Sequence, residues 1–299
     1  MLEFKSLEVQ DRAAVQSILA ERSLMGNENV FGTLYIWGEV YKHSACIHEG
    51  TLYSLYGGDS NIYGVPHGGD FSAALKVLMA DARAKGHRFR LWGMTKEQVA
   101  EVEREMPDVF RYRLDRDGSD YIYHTSDLVN LAGRKFHDKR NHLNRFRRTY
   151  DYTYEDLTEQ NLPDVVDITR EWIYGHSAST AEELFLENCA ITRAVKHFSQ
   201  LGLQGGLIRI LGKPVAFTLG EAINSEVFLV HFEKALSGYN GLYAAINQEF
   251  AARQLASYKY VNREEDMGIE GLRNSKLSYN PAFILEKYIV NLKVEGSDD

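Results

Sequence analysis

Cysteine and proline are scarce in this chain, and their scarcity excludes several classes of protein. The 299 residues include only 2 cysteines and 5 prolines. Cys46 and Cys189 lie far apart and no Cys-x-x-Cys occurs, so the sequence predicts neither a disulfide framework nor a cysteine-ligated zinc site. We expect a reducing, cytoplasmic environment. With so little proline and no Pro/Gly/Ser tract, we also expect no long flexible linker.

Long apolar runs and several catalytic motifs are missing as well. No run approaches the ~18 apolar residues of a transmembrane helix, and the first residues lack the apolar core of a signal peptide, so we expect no transmembrane segment. The sequence contains no His-Glu-x-x-His zinc pair, no Gly-x-Ser-x-Gly nucleophile elbow and no Gly-x-x-x-x-Gly-Lys-Ser/Thr phosphate loop. It therefore predicts no metal site and favours neither a serine hydrolase nor a P-loop enzyme.

The length and the alternation of predicted elements indicate a fold with both helices and strands. A chain of 299 residues suits two domains of ~150 residues each, and 44% hydrophobic residues suffice for packed cores. The pattern predicts a strand over Leu2–Leu7 and an extended run over Arg111–Tyr123, broken at Asp115–Ser119. Strands and helices alternate through the rest of the chain, so the predicted fold class is α+β (mixed α/β).

The order of elements in the first half repeats in the second half. In each half a strand leads through a glycine-containing loop into a helix, predicted over Phe71–Lys85 and over Leu242–Ser257, with starts 171 residues apart. Asp70 is the expected N-cap of the first helix and Gly86 its C-terminal stop. Such a repeat predicts two copies of one unit. We therefore predict an N-terminal domain, a basic connecting helix and a C-terminal domain, at residues 1–125, 126–150 and 151–299.

Positive charge is concentrated in one segment, residues 133–150, which we call the cationic segment. Seven Lys and Arg residues against one Asp give it a charge of +6, while the chain carries −8, so the remainder carries −14 (−8 minus +6). Such a strip predicts binding of a polyanion: nucleic acid, anionic lipid headgroups or phosphates. The residues that we assign to this role are Arg134, Lys135, Lys139 and Arg140. The alternative is a solvated helix whose charges pair with acidic neighbours.

The cationic segment also has the spacing of a helix. Phe136, Leu143, Phe146 and Tyr150 recur at intervals of seven, three and four residues, which places them on one side of a helix. We therefore expect this side to pack against the protein while the basic side chains cover the remainder of the helix.

A glycine-containing loop, Ser237–Gly241, precedes the second of the repeated helices. A helix N-terminus offers unpaired N–H groups and a partial positive charge to phosphates, and glycines allow the backbone to approach them. This order of strand, glycine loop and helix resembles the GCN5-related N-acetyltransferase fold, although the basic residue that usually leads the loop is absent. The resemblance implies a site for CoA or acyl-CoA formed by Ser237, Gly238, Tyr239, Asn240 and Gly241.

Three longer sequence segments resemble one narrower protein family. They lie within Asp120–Asn141, His231–Ala235 and Asn262–Arg273. They resemble a bacterial family of unknown function that is similar to the C-terminal domain of phosphatidylglycerol lysyltransferase, whose tandem layout is shared by Fem-type transferases. The resemblance covers almost the whole chain. It implies two tandem GCN5-related N-acetyltransferase-like domains, each with a mixed central sheet flanked by helices.

The resemblance also implies a reaction class. It implies a transferase that moves an acyl or aminoacyl group from a CoA thioester or an aminoacyl-tRNA to an amine or hydroxyl. The acceptor would be a small molecule, a lipid headgroup or a peptide. This sequence includes no membrane domain like that of the lysyltransferase, so the resemblance names no acceptor. The alternative is a non-catalytic binding protein on a degenerate acetyltransferase fold, which the missing basic lead residue favours.

Transfer to a nucleophile needs a base, donors for the developing oxyanion and an acid for the leaving group. Glu233 is the first candidate base because it ends a predicted strand beside the glycine loop; the alternative is an ion pair with Lys234 or an arginine of the cationic segment. Glu265, in the run Glu264–Asp266, is the second candidate, since adjacent carboxylates bind a cationic acceptor or raise one another's pKa. The alternative is that these carboxylates neutralise the cationic segment.

Tyr279 and His231 complete the set of candidates. Tyr279 precedes the closing strand and would protonate a leaving group, with a place in the core as the alternative. His231 stands between Val230 and Phe232 on a predicted strand, so we interpret it as a buried histidine of the core.

Overall fold

The computed structural model describes residues 1–57, 61–175 and 181–293. The helices are α1 (Arg12–Leu19), α2 (Phe31–Ile36), α3 (Phe71–Lys85), α4 (Lys96–Glu105), α5 (Thr125–Asn130), α6 (His137–Thr149), α7 (Leu162–Gly175), α8 (Ala181–Lys196), α9 (Phe198–Leu201), α10 (Leu242–Gln254) and α11 (Glu270–Leu277). The strands are β1 (His43–His48), β2 (Thr51–Tyr56), β3 (Ile62–Gly64), β4 (Arg90–Thr95), β5 (Phe110–His124), β6 (Tyr152–Asp156), β7 (Gln204–Ile210), β8 (Lys213–Ala222), β9 (Val227–Ala235), β10 (Tyr260–Asn262) and β11 (Phe283–Leu292). Among these helices, none combines the length and the apolarity needed to cross a bilayer.

The two repeated helices begin where the sequence predicts, because their ends carry explicit signals. The Asp70 side chain accepts a hydrogen bond from the backbone nitrogen of Ala73 at 2.7 Å and caps α3. Gly86 ends this helix in the left-handed conformation, with φ of 71°. Gly241 has the same conformation at the start of α10. The predicted cap, stop and helix starts are confirmed.

The predicted strand over Leu2–Leu7 is wrong. The chain makes a single isolated bridge there, between Lys5 and Ala45. Leu2 and Leu7 are both buried, but a strand directs only every second side chain to the same face. Residues five apart point to opposite faces, so a regular strand would bury only one of the two leucines.

The predicted break in the run Arg111–Tyr123 is also wrong, because β5 continues through Asp115–Ser119. The polar groups that suggest a turn are bonded instead. Asp115 accepts a hydrogen bond from Trp92 Nε1 at 2.7 Å, and Ser119 Oγ donates to the carbonyl oxygen of Asp115 at 2.6 Å. Because these polar groups have partners, they do not interrupt the strand.

The pattern of backbone contacts divides the chain into two compact units. Unit 1 comprises Met1–Leu24, Glu28–Asp120 and the segment that begins at Leu285. In its sheet β3 runs parallel to β4, and β11 pairs antiparallel with β4. One core joins α3 to these strands through side chains that include Leu75, Leu91 and Val290. The domain limits 1–125, 126–150 and 151–299, given in the sequence analysis, remain a prediction.

Unit 2 comprises Met25–Asn27 and Tyr121–Ile284. In its sheet β9 lies between β8, to which it is antiparallel, and β10, to which it is parallel. The core beneath includes Phe228, Phe250 and Val261. Helix α6, which carries most of the cationic segment, packs on α10 within this unit.

A bulge interrupts the pairing of β8 with β9. Leu219 pairs with Phe232 and Gly220 pairs with Val230, so His231 is an extra residue of β9. At Gly220 a Cβ would lie 1.9 Å from a backbone carbonyl oxygen of β9. The close approach of the two strands at the bulge therefore requires glycine.

The ladder between strands β9 and β10 is short. The parallel pairing joins Val227–Leu229 to Tyr260–Asn262. Strand β10 ends at Asn262, whereas β9 continues to Ala235. The second part of β9 is therefore bordered by the loop after β10, and we call this place the opening between β9 and β10.

Replacing Gly220 by Ala tests the bulge. The added methyl group meets backbone, which cannot move aside as a flexible side chain does, so we expect the free energy of unfolding to fall by about 3 kcal/mol. Gly271→Ala is the control, because a Cβ on this residue of α11 meets nothing within 4 Å and alanine favours a helix. Chemical denaturation measures both variants. Unchanged stability of Gly220→Ala would contradict the described geometry.

Candidate functional site

The opening between β9 and β10 contains a buried ion pair. The Glu233 side chain on β9 is 9% exposed, and its Oε1 accepts a hydrogen bond from Arg263 Nη2 at 2.9 Å. Asn247, on α10, donates from Nδ2 to Glu233 Oε2 at 3.1 Å. Both carboxylate oxygens of the predicted base are therefore engaged. The cation that pairs with Glu233 is Arg263, which directly follows β10, and not Lys234 or an arginine of the cationic segment.

Two buried polar atoms beside this ion pair, Arg263 Nη1 and Asn247 Oδ1, have no hydrogen-bond partner among the described residues. The guanidinium lies over the rings of Tyr279 and Tyr123, at 4.8 and 5.6 Å from their centroids. Buried donors and acceptors in native proteins nearly always have partners, including water and ligands. A buried donor and a buried acceptor that lack partners have the hydrogen-bonding capacity for a polar group such as a carbonyl or an amine.

Lys139 extends from α6 to the same place. Its Nζ lies 4.0 Å from the centroid of the Tyr279 ring. Burial and the nearby Arg263 guanidinium lower the pKa of Lys139 to about 8, against the opposing charge of Glu233. The predicted role of Lys139 is polyanion binding, whereas its amine lies beside the ion pair. An amine with this pKa gains and loses a proton near neutral pH.

Tyr279 lies beneath the two cations and is 4% exposed. Burial raises its pKa, so the phenol keeps its proton at physiological pH. Burial raises the pKa of Tyr123 in the same way, and the Tyr123 hydroxyl donates to the carbonyl oxygen of Lys276 at 2.8 Å. Tyr279 therefore occupies the core position given as its alternative and also borders the site.

The carboxylates of the run Glu264–Asp266 have separate partners. Arg273 donates to both oxygens of Asp266 at 2.9 and 2.8 Å, and the Tyr121 hydroxyl donates to Oδ2 at 2.5 Å. Burial opposes ionisation of Asp266, but these donors outweigh it and hold its pKa well below the usual range. Glu265 accepts from Asn27 Nδ2 at 2.8 Å. The expectation that these carboxylates raise one another's pKa is therefore wrong for Asp266. The partners of Asp266 and Glu265 named here lie outside the cationic segment.

His231 is a buried histidine, as predicted, and it bridges two carboxylates. Its Nε2 lies 3.0 Å from Glu221 Oε1, and its Nδ1 lies 3.2 Å from Glu264 Oε1. Burial disfavours the imidazolium, but the two carboxylates outweigh burial and raise the pKa of His231 to about 9. The imidazolium therefore connects β8 and β9 to the loop after β10, next to the Glu233 ion pair.

The first half of the predicted phosphate loop is open. Ser237, Gly238 and Asn240 are exposed, and Tyr239 is half-buried. The Tyr239 ring packs edge-on against Tyr150, with 5.5 Å between the centroids. A Cβ on Gly238 would meet nothing within 4 Å. This part of the loop leaves room for a ligand to approach the backbone.

The second half of the loop is covered by α6. A Cβ on Gly241 would lie 2.4 Å from the carbonyl oxygen of His142, so this glycine allows α6 to pack on the loop. The N–H of Leu242 donates to the carbonyl oxygen of Tyr239 at 3.2 Å. Helix α10 has no side-chain N-cap, but these two contacts leave less of its N-terminus for a phosphate than the sequence pattern predicts.

The residues assigned to polyanion binding have different surroundings. Lys135 pairs with Asp127 at 2.8 Å. Arg140 donates from Nη1 to backbone carbonyl oxygens at the end of α5, one of them at 2.6 Å. Arg134 is exposed and makes no ion pair or side-chain hydrogen bond with the described residues. Lys139 is half-buried. Of the four residues, only Arg134 is both exposed and without a charged partner among the described residues.

Two arginines of α6, Arg145 and Arg148, resemble Arg134, which precedes this helix. Both are exposed and have no ion pair or side-chain hydrogen bond within the part of the chain that the structure describes. Arg147, between them in sequence, pairs with Glu249 at 2.9 Å. The surface of the cationic segment therefore combines paired residues with three unpaired arginines.

Unit 1 contains the corresponding loop and helix start, where a side chain and the backbone of the protein itself leave little room for a phosphate. The carboxylate of Asp70 caps α3, and a Cβ on Gly68 would lie 2.7 Å from the carbonyl oxygen of Gly50. A negatively charged cap disfavours a second anion at the same helix end. Of the two repeated loops, the one in unit 2 is therefore the candidate for a phosphate.

The sequence analysis did not select three residues of this site: Tyr123, Asn247 and Arg263. Tyr123 and Arg263 lie within the phrases that carry the family resemblance, but only the fold brings Arg263 to Glu233, 30 residues earlier. Asn247 is an ordinary polar residue of α10 in the sequence. Its amide is recognised as part of the site only through its bond to Glu233.

Comparison with known proteins connects this geometry to a family. The sequence model of the family described as "Phosphatidylglycerol lysyltransferase, C-terminal" matches residues 21–291. A conserved protein of unknown function from Bacteroides thetaiotaomicron is 40% identical, with a TM-score of 0.93 over 98% of this chain and 100% of that one. L-PGS from Bacillus licheniformis is 16% identical, with a TM-score of 0.66 over 94% and 91% of the two chains.

A curated relative matches a shorter part of the chain. An uncharacterised protein of Mycoplasmoides gallisepticum is 27% identical over 179 residues, which is 58% of this chain and 56% of that protein. The match thus spans about half the length of that relative.

The predicted fold class is confirmed: the chain has two tandem GCN5-related N-acetyltransferase-like domains, a fold also found in FemX.

The His231 bridge predicts how stability depends on pH. The pKa of His231 is about 9 in the folded protein and 6.5 ordinarily, so its contribution is complete below about pH 6.5 and is lost as the pH rises towards 9. We expect the free energy of unfolding to fall by on the order of 3 kcal/mol across that window. Denaturant titrations at several pH values measure this change.

Two variants check the assignment. His231→Gln should remove the decrease, whereas His137→Gln, at an exposed position of α6, should retain it. A wild-type stability that stays flat between about pH 6.5 and 9 would contradict the raised pKa.

Proposed function

We propose that this chain, which belongs to the family of the phosphatidylglycerol lysyltransferase C-terminal domain, transfers an aminoacyl group from aminoacyl-tRNA to an amine or hydroxyl. The family supports the broader class of acyl- and aminoacyl-transferases. The observation that carries the proposal is the cluster of Lys139, Arg263 and Tyr279 at the opening between β9 and β10. It combines an amine of lowered pKa, a guanidinium whose buried Nη1 has no hydrogen-bond partner among the described residues, and a protonated phenol.

Each group of this cluster has a role in the transfer. The neutral amine of Lys139 accepts the proton of the acceptor nucleophile, which attacks the ester carbonyl carbon of the aminoacyl group. The unpaired N–H of Arg263 donates to the carbonyl oxygen as it becomes an oxyanion. When the intermediate collapses, the bond to the tRNA ribose oxygen breaks and that oxygen takes a proton from Tyr279. The phenolate then recovers a proton from the Lys139 ammonium.

Glu233 is a positioning residue in this mechanism rather than the base. Its carboxylate holds Arg263 through Nη2 and Asn247 through Nδ2, which leaves Arg263 Nη1 and Asn247 Oδ1 for the substrate. The unpaired amide oxygen of Asn247 suits the α-ammonium group of an aminoacyl ester, because an ammonium has donors and no acceptor. Glu265 has no step in the proposed mechanism.

Aminoacyl-tRNA suits the site better than acyl-CoA does. The packing of α6 on Gly241 and the bond of the Leu242 N–H reduce what the start of α10 offers to the pyrophosphate of CoA. The exposed Arg134, Arg145 and Arg148 suit a long polyanion. The open half of the loop still has room for CoA, so acyl-CoA belongs among the donors to be tested. The acceptor stays an amine or hydroxyl of a small molecule, a lipid headgroup or a peptide.

Replacing Lys139 by Arg distinguishes a base from a polyanion contact. Arginine keeps the positive charge but does not lose its proton at accessible pH. We therefore expect Lys139→Arg to slow single-turnover transfer by about 10²-fold or more, while tRNA affinity changes by less than about twofold. The wild-type rate should rise with pH and level off above about 8, the pKa of Lys139.

The assay uses tRNA charged with labelled amino acids and, as acceptors, phospholipid vesicles, small amines and peptides. Lys135→Arg is the control, since Lys135 belongs to the same segment but pairs with Asp127 at the surface, and it should keep the full rate. Full activity of Lys139→Arg would contradict the proposed base. Binding of donors without transfer to any acceptor would favour the non-catalytic binding protein.

The exposed arginines of the cationic segment predict a salt dependence. Each phosphate contact contributes roughly 0.7–0.9 to the slope of log affinity against log salt concentration. Replacing Arg134, Arg145 and Arg148 together by Gln should therefore reduce the slope for tRNA by about 2. Filter binding at several salt concentrations measures it.

The matched control removes the same charge from unit 1. Its three substitutions to Gln are at the exposed residues Lys76, Arg83 and Lys96. This control should leave the slope for tRNA unchanged. Equal slopes for the two triple variants would show that these three arginines of the cationic segment do not contact phosphates.

A further inference from the structure

A cavity in unit 1 is lined by three arginines. It has a volume of about 390 Å³, and the residues that line it are Arg88, Arg90, Arg113, Ile289 and Asn291. Ligand pockets commonly measure about 300–1,000 Å³, so this cavity suits a small molecule. All of its lining residues belong to unit 1, and none belongs to the cluster around Lys139.

The sheet holds Arg90, Ile289 and Asn291 on one face. Arg90 on β4 is the cross-strand partner of Asn291 on β11, and Ile289 lies two residues before Asn291 on the same side of the strand. The neighbouring residues Leu91 and Val290 point to the other face, where they are buried in the core with α3. Packing in the core holds β4 and β11 in place, and these strands position the side chains that form the wall of the cavity.

The positive charges of the cavity are not balanced locally. Arg88, Arg90 and Arg113 make no ion pair or side-chain hydrogen bond with the described residues, and the lining contains no carboxylate. Arg113 comes from β5, next to β11 in the sheet. Asp115, two residues further along β5, is bonded to Trp92 Nε1 at 2.7 Å. Three neighbouring like charges repel one another, and a bound anion would offset that repulsion.

We propose that this cavity binds the phosphate groups of a small phosphorylated molecule. Guanidinium groups match phosphate oxygens through paired hydrogen bonds. Three arginines are balanced better by a multiply charged phosphate than by a single carboxylate. The amide of Asn291 adds a polar contact, and Ile289 supplies an apolar wall for the organic part of the ligand. A volume of about 390 Å³ favours a small ligand over the backbone of a nucleic acid.

Calorimetric titration of the full chain with inorganic pyrophosphate and with adenosine 5′-diphosphate tests the proposal. We expect both to bind at low ionic strength. Arg90→Gln and Arg113→Gln should each weaken binding by about tenfold or more, since each removes a charge-assisted contact. Arg90→Lys, which keeps the charge but loses the planar guanidinium group, should weaken binding by less.

Arg83→Gln is the matched control, because Arg83 is an exposed arginine of unit 1 outside the cavity. It should leave the affinity unchanged within about twofold. Thermal unfolding of each variant confirms that the fold is retained. Absence of wild-type binding to both probes, or equal loss in Arg83→Gln, would overturn the proposal. Binding of a single-stranded oligonucleotide in place of both small probes would overturn it as well.

Discussion

The ion pair of Glu233 and Arg263 is the interaction on which the candidate site depends. It joins β9 to the residue after β10 at the place where the backbone ladder between these strands has ended. Buried charges are tolerated only when they are paired and hydrogen-bonded, and removing one partner costs about 3–5 kcal/mol. Here Asn247 donates a hydrogen bond to the second carboxylate oxygen of Glu233, and the rings of Tyr123 and Tyr279 flank the Arg263 guanidinium. The pair therefore holds β9 and the residue after β10 together, while Nη1 of the guanidinium has no hydrogen-bond partner among the described residues.

A second set of contacts supports this arrangement from the side of β8. The bulge adds His231 to β9, and the imidazole connects Glu221 to Glu264. Glu264 has a left-handed conformation with φ of 56°, which is unfavourable for a residue with a side chain. The bond of its N–H to Asn262 Oδ1 at 2.7 Å stabilises that turn. Backbone strain held in place by surrounding bonds is common at functional sites.

The sequence predicts local features well and partnerships between distant residues poorly. The start and the end of α3 were predictable because Asp70 and Gly86 are strong local signals. The role of Lys139 had a signal that we did not use: it lies three residues after Phe136 and four before Leu143, on the side of the helix that packs. No comparable signal links Glu233 to Arg263, because their contact depends on how far β9 extends beyond β10.

The central claim is that the opening between β9 and β10 receives the aminoacyl end of the donor. Hydrogen–deuterium exchange with a stable aminoacyl-nucleoside amide tests it directly, because this analogue carries the reacting end without the rest of the tRNA. The account predicts slower exchange in peptides that cover residues 230–241 and 260–266, with no change around the capped start of α3. Unchanged exchange in the first two regions at saturating analogue, or protection confined to unit 1, would contradict it.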